Sequence, residues 1–258
     1  MKLQDSVVII TGASSGLGAT TAKELARRGA TVVLAARRAA QLQALADDIE
    51  RAGGRALAVP TDVSQRADID RLVQTTLDTF GRVDVLVNNA GISAGSSLSS
   101  STDDQLEYLI NVNLLAPTRC IQAVLPHMRQ QGRGVIVNLG SVAGELATSG
   151  LYSATKFGIR GLNDVLRREL RHDNIAVVLV APGFIRTPMT TDVKIPMPGP
   201  ELVARTIAGA IEHPRRKIIV PWPYAPLVWL GKLLPWLTDA VIGSRKFQRS
   251  YHERKRTS

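Results

Sequence analysis

A tyrosine and a lysine stand four residues apart in this sequence, as Tyr152 and Lys156. In a helix, that spacing places both side chains on one face. A phenol is a poor base at neutral pH, but a fixed cation a few ångströms away favours its phenolate form. The pair therefore predicts a general acid and base if its helix begins beside a ligand site. On an ordinary surface helix, the same pair would have little consequence.

A glycine-rich segment directly follows the first apolar run of the chain, 7–10. It reads Gly12-Ala13-Ser14-Ser15-Gly16-Leu17-Gly18, and a stretch of helical composition follows it from Ala19. Glycines let the backbone turn tightly and approach a pyrophosphate, and the N-terminus of a helix favours the charge of that group. Three glycines alone are a weak signal, but strand, turn and helix in this order predict a dinucleotide site.

Seven short apolar runs alternate with stretches of helical periodicity. The runs cover 7–10, 31–35, 56–59, 83–87, 135–139, 175–180 and 217–220. Nearly continuous hydrophobicity is typical of parallel strands that are covered by helices on both faces. Gly29, Gly53 and Gly81 follow helical stretches and suit left-handed caps.

We therefore predict an α/β fold: a single-domain, Rossmann-type, doubly wound parallel sheet of about seven strands, flanked by helices. This domain, expected to span 1–223, would bind the dinucleotide and carry the catalytic residues. A C-terminal amphipathic helical extension, 224–258, would follow it without forming an independent domain. Tyr152 and Lys156 come after the fifth strand, beside the carboxyl ends of the strands, where such sheets bind ligands.

The end of the second strand indicates which dinucleotide the chain binds. NAD sites usually place an acidic side chain there to hold the ribose 2′-hydroxyl, but this sequence has Ala36 followed by Arg37 and Arg38. A guanidinium group at that position would instead meet a 2′-phosphate through charge-assisted hydrogen bonds. We therefore predict NADP(H), with Arg37 as the contact and NAD(H) as the alternative. Solvated arginines are the competing interpretation, and they suit Arg38 better than Arg37.

These motifs together resemble those of the short-chain dehydrogenase/reductase family. The spacing Gly-x3-Gly-x-Gly and the Tyr-x-x-x-Lys pair are family forms, and the resemblance extends from about residue 6 to about residue 220. It implies two further catalytic residues: Ser141, which would hydrogen-bond the reacting oxygen, and Asn113, which would hold a water against Lys156. Tyr152 follows Ser141 by 11 positions, fewer than is usual in the family. The wall of the substrate pocket is therefore expected to differ.

The resemblance also implies which residues hold the cofactor. Three segments would do so: one after the fourth strand near the ribose, one after the third strand at the adenine, and one after the sixth strand at the nicotinamide carboxamide. With the phosphate loop, the predicted contacts are Gly12, Ser14, Ser15, Gly16, Leu17, Gly18, Arg37, Asp62, Val63, Asn89, Ala90, Gly91, Tyr152, Lys156, Pro182, Gly183, Ile185 and Thr187. One departure is Ser15, where many NADP-using relatives have a basic residue.

The function predicted from these features is an NADP(H)-dependent oxidoreductase that moves a hydride between a nicotinamide and a carbonyl or alcohol carbon. A non-catalytic dinucleotide-binding regulator or scaffold is the alternative, and the complete set of four catalytic residues favours the enzyme. Phe184, Met189 and Met197 suggest an apolar substrate, without choosing among steroids, retinoids, acyl ketones and small carbonyls. The direction of the reaction stays open. As in its relatives, a homodimer or homotetramer is expected.

Composition excludes several other classes of function. Half of the net charge of +10 comes from a basic segment, 245–256, so the domain itself does not resemble a nucleic-acid-binding protein. Cys120, the single cysteine, fits a helical packing position, and the Cys and His spacings suit no metal site. Few residues precede the first apolar run, so we expect no signal peptide and a cytoplasmic protein.

The C-terminal extension has the most individual sequence. Apolar residues recur there every three or four positions, which predicts two short amphipathic helices broken at Pro235. The expected apolar face consists of Leu227, Leu230, Leu234, Leu237 and Val241, widened by Trp229, Leu233 and Trp236, with Lys232 and Asp239 opposite. This face would cover the substrate pocket, pack against another subunit or, with the basic segment, bind peripherally to an anionic membrane through residues 224–256.

Overall fold

A computed structural model describes residues 1–93, 101–148, 150–191 and 196–244. Within these ranges, seven strands form one sheet in which every neighbouring pair is parallel. The strands are β1 (Val7–Thr11), β2 (Thr31–Ala36), β3 (Arg55–Pro60), β4 (Val85–Asn88), β5 (Gly134–Leu139), β6 (Ile175–Pro182) and β7 (Lys217–Val220). Their order across the sheet is β3-β2-β1-β4-β5-β6-β7. The predicted seven-stranded, doubly wound sheet is confirmed.

Helices connect the strands and follow the last of them. They are α1 (Gly16–Arg27), α2 (Ala39–Arg51), α3 (Arg66–Phe80), α4 (Asp103–Ile110), α5 (Ala116–Gln131), α6 (Ala143–Leu146), α7 (Gly150–Glu169), α8 (Pro200–Glu212), α9 (Tyr224–Leu233) and α10 (Pro235–Ile242). A π-helical turn, Asn111–Leu115, joins α4 to α5. Gly29, Gly53 and Gly81 have φ angles of 87°, 83° and 71°, as expected of left-handed positions after helices.

The core lies on both faces of the sheet, because alternate residues of each strand point to opposite sides. Val8 and Ile10 of β1 face one apolar cluster with α1, α2 and α8, whereas Val7 and Ile9 face another with α3, α5 and α7. Cys120 packs in the second cluster, where burial raises the pKa of its thiol to about 12. This confirms a packing role and excludes a thiolate nucleophile at neutral pH.

Several strand boundaries differ from the predicted runs by one or two residues, and the start of β4 is one of them. The apolar run begins at Val83, but β4 begins at Val85. The backbone N–H of Val83 donates to Oε1 of Gln131 at 3.1 Å, and its carbonyl accepts from Nε2 of the same side chain at 2.9 Å. A side-chain amide from α5 therefore takes the place of a neighbouring strand at this residue.

The strand order reverses between β1 and β4, and ligands of such sheets bind at that point, outside the carboxyl ends of the strands. The glycine loop follows β1, and Asn89 and Ala90 follow β4. Ser141 follows β5, and Gly183 follows β6. Since parallel strands all end at the same edge, the fold collects these separate segments at one place.

The two helices at the C-terminus are confirmed, with the break between α9 and α10 at Pro235. The predicted composition of their apolar face was wrong. Leu234 and Leu237 are half-buried, whereas Leu227, Leu230 and Val241 are exposed. Some residues of the predicted face therefore pack partly against the protein body, and others are exposed to solvent. In the described part of the chain, no single helix is long and apolar enough to cross a membrane, and α9 and α10 meet that test only as a pair bent by 112°.

Candidate active site

The loop between β1 and α1 has the backbone that a phosphate cradle requires. Gly12 and Gly16 have φ angles of 69° and 54°, in the region that favours glycine. A Cβ added at Gly18 would overlap the carbonyl oxygen of Gly12, so only glycine lets the helix begin this close to the strand. Ser15, at the N-cap of α1, makes no side-chain capping bond, and the first turn holds no acidic residue. The N–H groups of this turn are therefore suited to an anion.

The segment after β4 is hydrogen-bonded to Thr11, the last residue of β1, just before this loop. The hydroxyl of Thr11 accepts hydrogen bonds from the backbone N–H of Asn89 at 3.1 Å and of Ala90 at 3.0 Å. In return, Nδ2 of Asn89 donates to the carbonyl of Thr11 at 2.8 Å. A Cβ at Gly12 would lie 2.9 Å from Cα of Ala90. The two loops predicted to bind the dinucleotide are thus packed directly against each other.

Two arginines border the adenine side of the loop, and they differ in their contacts. Arg38 donates to Oγ of Ser14 at 2.8 Å and to Oγ of Ser15 at 2.7 Å. Arg37 is exposed and donates to the phenol oxygen of Tyr108 at 2.8 Å. The sequence pointed to Arg37 as the contact and treated Arg38 as solvated; Arg38 is exposed and also hydrogen-bonds these two serines. The guanidinium group of Arg38 is thus bonded to the glycine-rich loop, and that of Arg37 to α4.

Asp62 and Val63 occupy the end of the third strand as the sequence indicated. The carboxylate of Asp62 accepts from the backbone N–H of Ser64 at 2.9 Å and from its hydroxyl at 2.8 Å, which closes a local turn. The N–H of Asp62 donates to Asp68 at 2.8 Å, and this bond and Arg71 lower the pKa of Asp68. Val63 is buried. The turn is rigid and brings an apolar residue and a carboxylate to the edge of the site.

The predicted catalytic pair, Tyr152 and Lys156, lies at the start of α7, which begins at Gly150. Nζ of Lys156 is 5.7 Å from the ring centroid of Tyr152 and donates to the carbonyl oxygen of Leu139 at 2.9 Å. Lys156 is 6% exposed, and burial lowers the pKa of its ammonium group to about 8. The ammonium group therefore still carries its charge at neutral pH, directly beside the phenol ring. Such a cation favours the phenolate.

Asn113 lies in the π-helical turn, a local widening that often marks functional sites. Its side chain is fully buried and forms a double hydrogen bond with Ile92: Nδ2 donates to the carbonyl, and Oδ1 accepts from the N–H, each at 2.8 Å. Gly91 lies between Asn113 and Lys156, because a Cβ there would be 3.3 Å from Oδ1 of Asn113 and 3.5 Å from Nζ of Lys156. The glycine keeps a small space open between the two side chains.

Ser141 follows β5, and its hydroxyl accepts a hydrogen bond from the N–H of Ala143 at 3.1 Å. This bond turns the chain into α6, the short helix that occupies the shortened loop before Tyr152. α6 packs tightly on α7, since a Cβ at Gly144 would lie 2.7 Å from Cβ of Lys156. A short helix thus lies against Lys156 in the segment between Ser141 and Tyr152; whether the pocket wall differs from that of relatives stays a prediction.

A buried carboxylate, which the sequence motifs do not reveal, fixes α6 in place. The side chain of Glu145 is 1% exposed and faces Lys217 at 3.0 Å, Arg160 at 3.6 Å and also Lys232. These cations come from β7, α7 and α9. Glu145 thus ties the loop after Ser141 to three other elements, and one of them is the C-terminal extension.

A chain of buried amides holds the strands on which these loops are built. Nδ2 of Asn88 donates to Oδ1 of Asn138 at 3.0 Å, and Nδ2 of Asn138 donates to Oδ1 of Asn163 at 3.2 Å. The three residues lie at the ends of β4 and β5 and within α7. The amides fix the register between the sheet and the helix that carries Tyr152.

The segment after β6 closes the site next to the phosphate loop. The carbonyl of Pro182 accepts from the N–H of Val142 at 2.9 Å, and Ile185 is buried. The N–H of Thr187 donates to Oγ1 of Thr190 at 2.9 Å. A Cβ at Gly16 would lie 3.7 Å from Cβ of Thr187, so this threonine stands beside the phosphate loop.

The structure thus brings the predicted residues to one edge of the sheet. Phosphate loop, arginines and adenine-side turn lie toward β2 and β3, and the tyrosine, lysine, asparagine and serine lie around the ends of β4 and β5. Among the described residues, no group of His, Cys, Asp and Glu is arranged to hold a metal ion. The described chain therefore presents a place for a dinucleotide next to a phenol with a buried cation.

Comparison with known proteins gives a consistent assignment. A family model described as short chain dehydrogenase matches residues 6–197. The uncharacterised oxidoreductase YxnA of Bacillus subtilis is 34% identical over 269 residues, covering 98% of this chain and 76% of YxnA. A solved short-chain dehydrogenase/reductase from Burkholderia phymatum, in complex with NAD, has a TM-score of 0.86 at 27% identity, covering 92% of this chain and 96% of its own. The 3-ketoacyl-(acyl-carrier-protein) reductase from Brucella melitensis, complexed with NADH, has a TM-score of 0.78 at 31% identity, covering 84% of this chain and 97% of its own.

Proposed function

Since this chain belongs to the short-chain dehydrogenase family, we propose that it is an NADP(H)-dependent oxidoreductase acting on a carbonyl or alcohol carbon with Tyr152 as its acid and base. One observation carries this proposal. Lys156 is buried, stays charged at neutral pH and lies 5.7 Å from the ring centroid of Tyr152. A chain that only bound a dinucleotide would have no use for a buried cation beside a phenol.

The bound nicotinamide would supply or accept the hydride. Tyr152 would give a proton to the carbonyl oxygen during reduction and take one from the alcohol during oxidation. Ser141 would hydrogen-bond the same oxygen and polarise the carbonyl. Lys156 would stabilise the phenolate, and the space beside Gly91 would let a proton pass between Lys156 and the Asn113 side.

Preference for NADP(H) is supported by charge at the end of β2. Ala36 offers no carboxylate to a ribose 2′-hydroxyl, the guanidinium group of Arg38 is bonded to Ser14 of the phosphate loop, and Arg37 precedes it in the chain. These groups would bind a 2′-phosphate through charge-assisted hydrogen bonds. Two of the compared structures contain NAD or NADH, so the preference requires a measurement with both cofactors.

The substrate we propose is an apolar carbonyl or alcohol, with acyl ketones as the leading class. The name of the Brucella protein describes a ketoacyl reductase. In this chain, Phe184 and Met189 follow β6 beside the nicotinamide segment and are 45% and 52% exposed. Large apolar side chains at a site entrance suit a substrate with an apolar body.

The proposed function is tested by a panel of ketones, aldehydes and alcohols, assayed by nicotinamide absorbance with each cofactor. We expect turnover with NADPH or NADP, and Tyr152→Phe should lower that turnover by about 10²–10⁴-fold, the usual effect of a positioned proton donor. Tyr224→Phe is the matched control, since it also removes one phenol hydroxyl and keeps the ring against Gly183. Near-normal turnover by Tyr152→Phe would refute the mechanism.

We also propose that the protein forms homodimers or homotetramers. Large apolar side chains on α4, the π-helical turn and α7 are open to solvent in the single chain, and apolar surface of this kind often marks an interface. These side chains are Tyr108, Ile110, Leu115, Phe157 and Val165. Light scattering of the purified protein measures the assembly directly.

A further inference from the structure

The helices α9 and α10 contact the protein body through a side that includes a charged residue of α9. Lys232 turns toward the body, where it pairs with the buried carboxylate of Glu145. Gly231 contacts α6 closely, since a Cβ there would lie 2.7 Å from Cδ2 of Leu146. Val228 is 1% exposed. The contacts of these helices with the domain thus include a lysine, a glycine and a valine.

The outward side of the same helices is apolar. It carries two of the three tryptophans of the chain, and the third, Trp222, is 75% exposed just before α9. We call this set the tryptophan face: Trp222, Leu227, Trp229, Leu230, Leu233, Trp236 and Val241, with exposures between 46% and 75%. A monomer in water gains nothing from such an arrangement, so the face indicates an apolar partner.

The charge that follows the tryptophan face indicates the nature of this partner. Directly after α10, the sequence contains six basic residues and one acidic residue, Glu253. The basic ones are Arg245, Lys246, Arg249, Arg254, Lys255 and Arg256. A second copy of the chain would bring an identical basic segment, and the two would repel each other. An anionic surface would attract it.

Helix length indicates how the face would meet a lipid bilayer. At 1.5 Å per residue, α9 and α10 are about 15 Å and about 12 Å long, against about 30 Å for the hydrocarbon core. The bend of 112° between them prevents the pair from acting as one straight span. Tryptophans favour the boundary between lipid headgroups and acyl chains. A position in the plane of the interface satisfies all three constraints.

We propose that the tryptophan face and the basic segment together dock this protein peripherally on an anionic lipid surface. α9 is attached to the domain through the ion pair of Lys232 with Glu145. Tyr224, at the start of α9, packs against Gly183, because a Cβ added at Gly183 would lie 2.6 Å from the Tyr224 ring. The docked surface therefore adjoins the α6 side of the candidate active site. Docking would bring an apolar substrate dissolved in the lipid close to that site.

Intrinsic fluorescence provides a direct test, because all three tryptophans lie in the tryptophan face. The full chain is titrated with vesicles of phosphatidylcholine alone or of equal parts phosphatidylcholine and phosphatidylglycerol, at low and high salt. We expect a blue shift of the emission and flotation with the anionic vesicles, both reversed by salt. Absence of both at low salt overturns the proposal.

Two full-length variants separate the contribution of the basic segment to vesicle binding from that of the tryptophan face. Replacing the six basic residues by Gln should lower partitioning into anionic vesicles by at least about tenfold, and Trp229→Ser with Leu233→Ser should lower it comparably. Ala52→Ser is the control, since Ala52 is exposed at the end of α2 and lies outside both this face and the proposed subunit interface. If the variant with six Gln substitutions partitions into anionic vesicles as strongly as the wild type, the proposal is wrong. This outcome counts even if Trp229→Ser with Leu233→Ser fails to fold.

A second copy of the chain is the alternative occupant, and light scattering distinguishes it. If Trp229→Ser with Leu233→Ser halves the molar mass while vesicle binding is absent from both proteins, the face is a subunit interface and the membrane proposal is wrong. Unchanged cofactor affinity in that variant shows that the domain is intact. These measurements do not involve turnover, so they stand whether or not the proposed reaction is found.

Discussion

Lys156→Met replaces a buried ammonium group by an apolar side chain of similar length. In the folded chain, burial lowers the pKa of Lys156 from 10.5 to about 8, because the charged form is solvated less well inside the protein than in water. The unfolded chain exposes the same lysine to water, where it regains its ordinary pKa. We therefore expect the substitution to change the dependence of stability on pH.

The sign of the effect follows from proton binding. Between about pH 8 and about pH 10.5, the unfolded chain holds a proton on Lys156 that the folded chain has released. The free energy of unfolding then rises with pH across this window. Below it, the buried charge destabilises the folded chain by about 3 kcal/mol, the equivalent of the difference between the two pKa values. The Met variant lacks this contribution at every pH.

The assay is denaturant unfolding of both proteins at about pH 7.5 and at about pH 10. On raising the pH, the wild-type chain should gain about 2 kcal/mol relative to the Met variant, because most of the window lies between these values. Both proteins also carry Tyr152→Phe, because removing the Lys156 cation would change the titration of Tyr152. The other titrating groups occur in both proteins and cancel. Lys23→Met, at a lysine whose side chain is 54% exposed, is the control and should follow the wild type. Identical pH dependence in wild type and Lys156→Met would refute the burial argument.

Two further substitutions test the cofactor site. Arg37→Ala should weaken NADP(H) by about ten- to a hundredfold with little effect on NAD(H), because a charge-assisted bond to the 2′-phosphate is lost; equal losses in a binding titration with both cofactors would show that Arg37 does not contact the phosphate. Gly18→Ala forces a methyl group onto the carbonyl of Gly12 and should cost about 1–3 kcal/mol in thermal unfolding, with loss of affinity for both cofactors. Gly161→Ala is its control: it meets no atom within 4 Å and should stabilise α7 by about 0.5–1 kcal/mol. Equal stability of the two alanine variants would contradict the close packing at Gly18.

The fold could be predicted from local sequence because its strands are buried on both sides. A strand such as Val7–Thr11 is apolar throughout, and the glycines after α1, α2 and α3 mark the helix ends without ambiguity. Boundaries were less certain where a distant side chain completes the backbone bonding. Gln131 pairs with the backbone of Val83 from 48 positions away, and no local pattern announces that contact.

In the candidate site, too, local motifs could be predicted from the sequence, whereas contacts between distant segments could not. Tyr152 and Lys156 are four positions apart on one helix, and the glycine loop is continuous, so spacing was enough to find both. Contacts between segments were missed: Arg38 reaches Ser14 across 24 positions, and Arg37 reaches Tyr108 across 71. These pairings depend on the order of the strands, which places the end of β2 beside the phosphate loop.

The orientation of α9 illustrates that an amphipathic pattern is compatible with two orientations of a helix on the protein. Periodicity indicates that a helix has an apolar and a polar side, but it does not say which side faces the protein. Here Glu145 decides, because a carboxylate that is 1% exposed requires cations, and Lys232, 87 positions away, supplies one of them. Turning the apolar side inward would remove that cation from a buried carboxylate. Removing one partner of a buried ion pair costs more free energy than removing one partner of a pair at a solvated surface. The buried acid in the loop after Ser141 therefore favours the orientation in which the tryptophans face outward, and it links α6 to the surface proposed to meet the lipid.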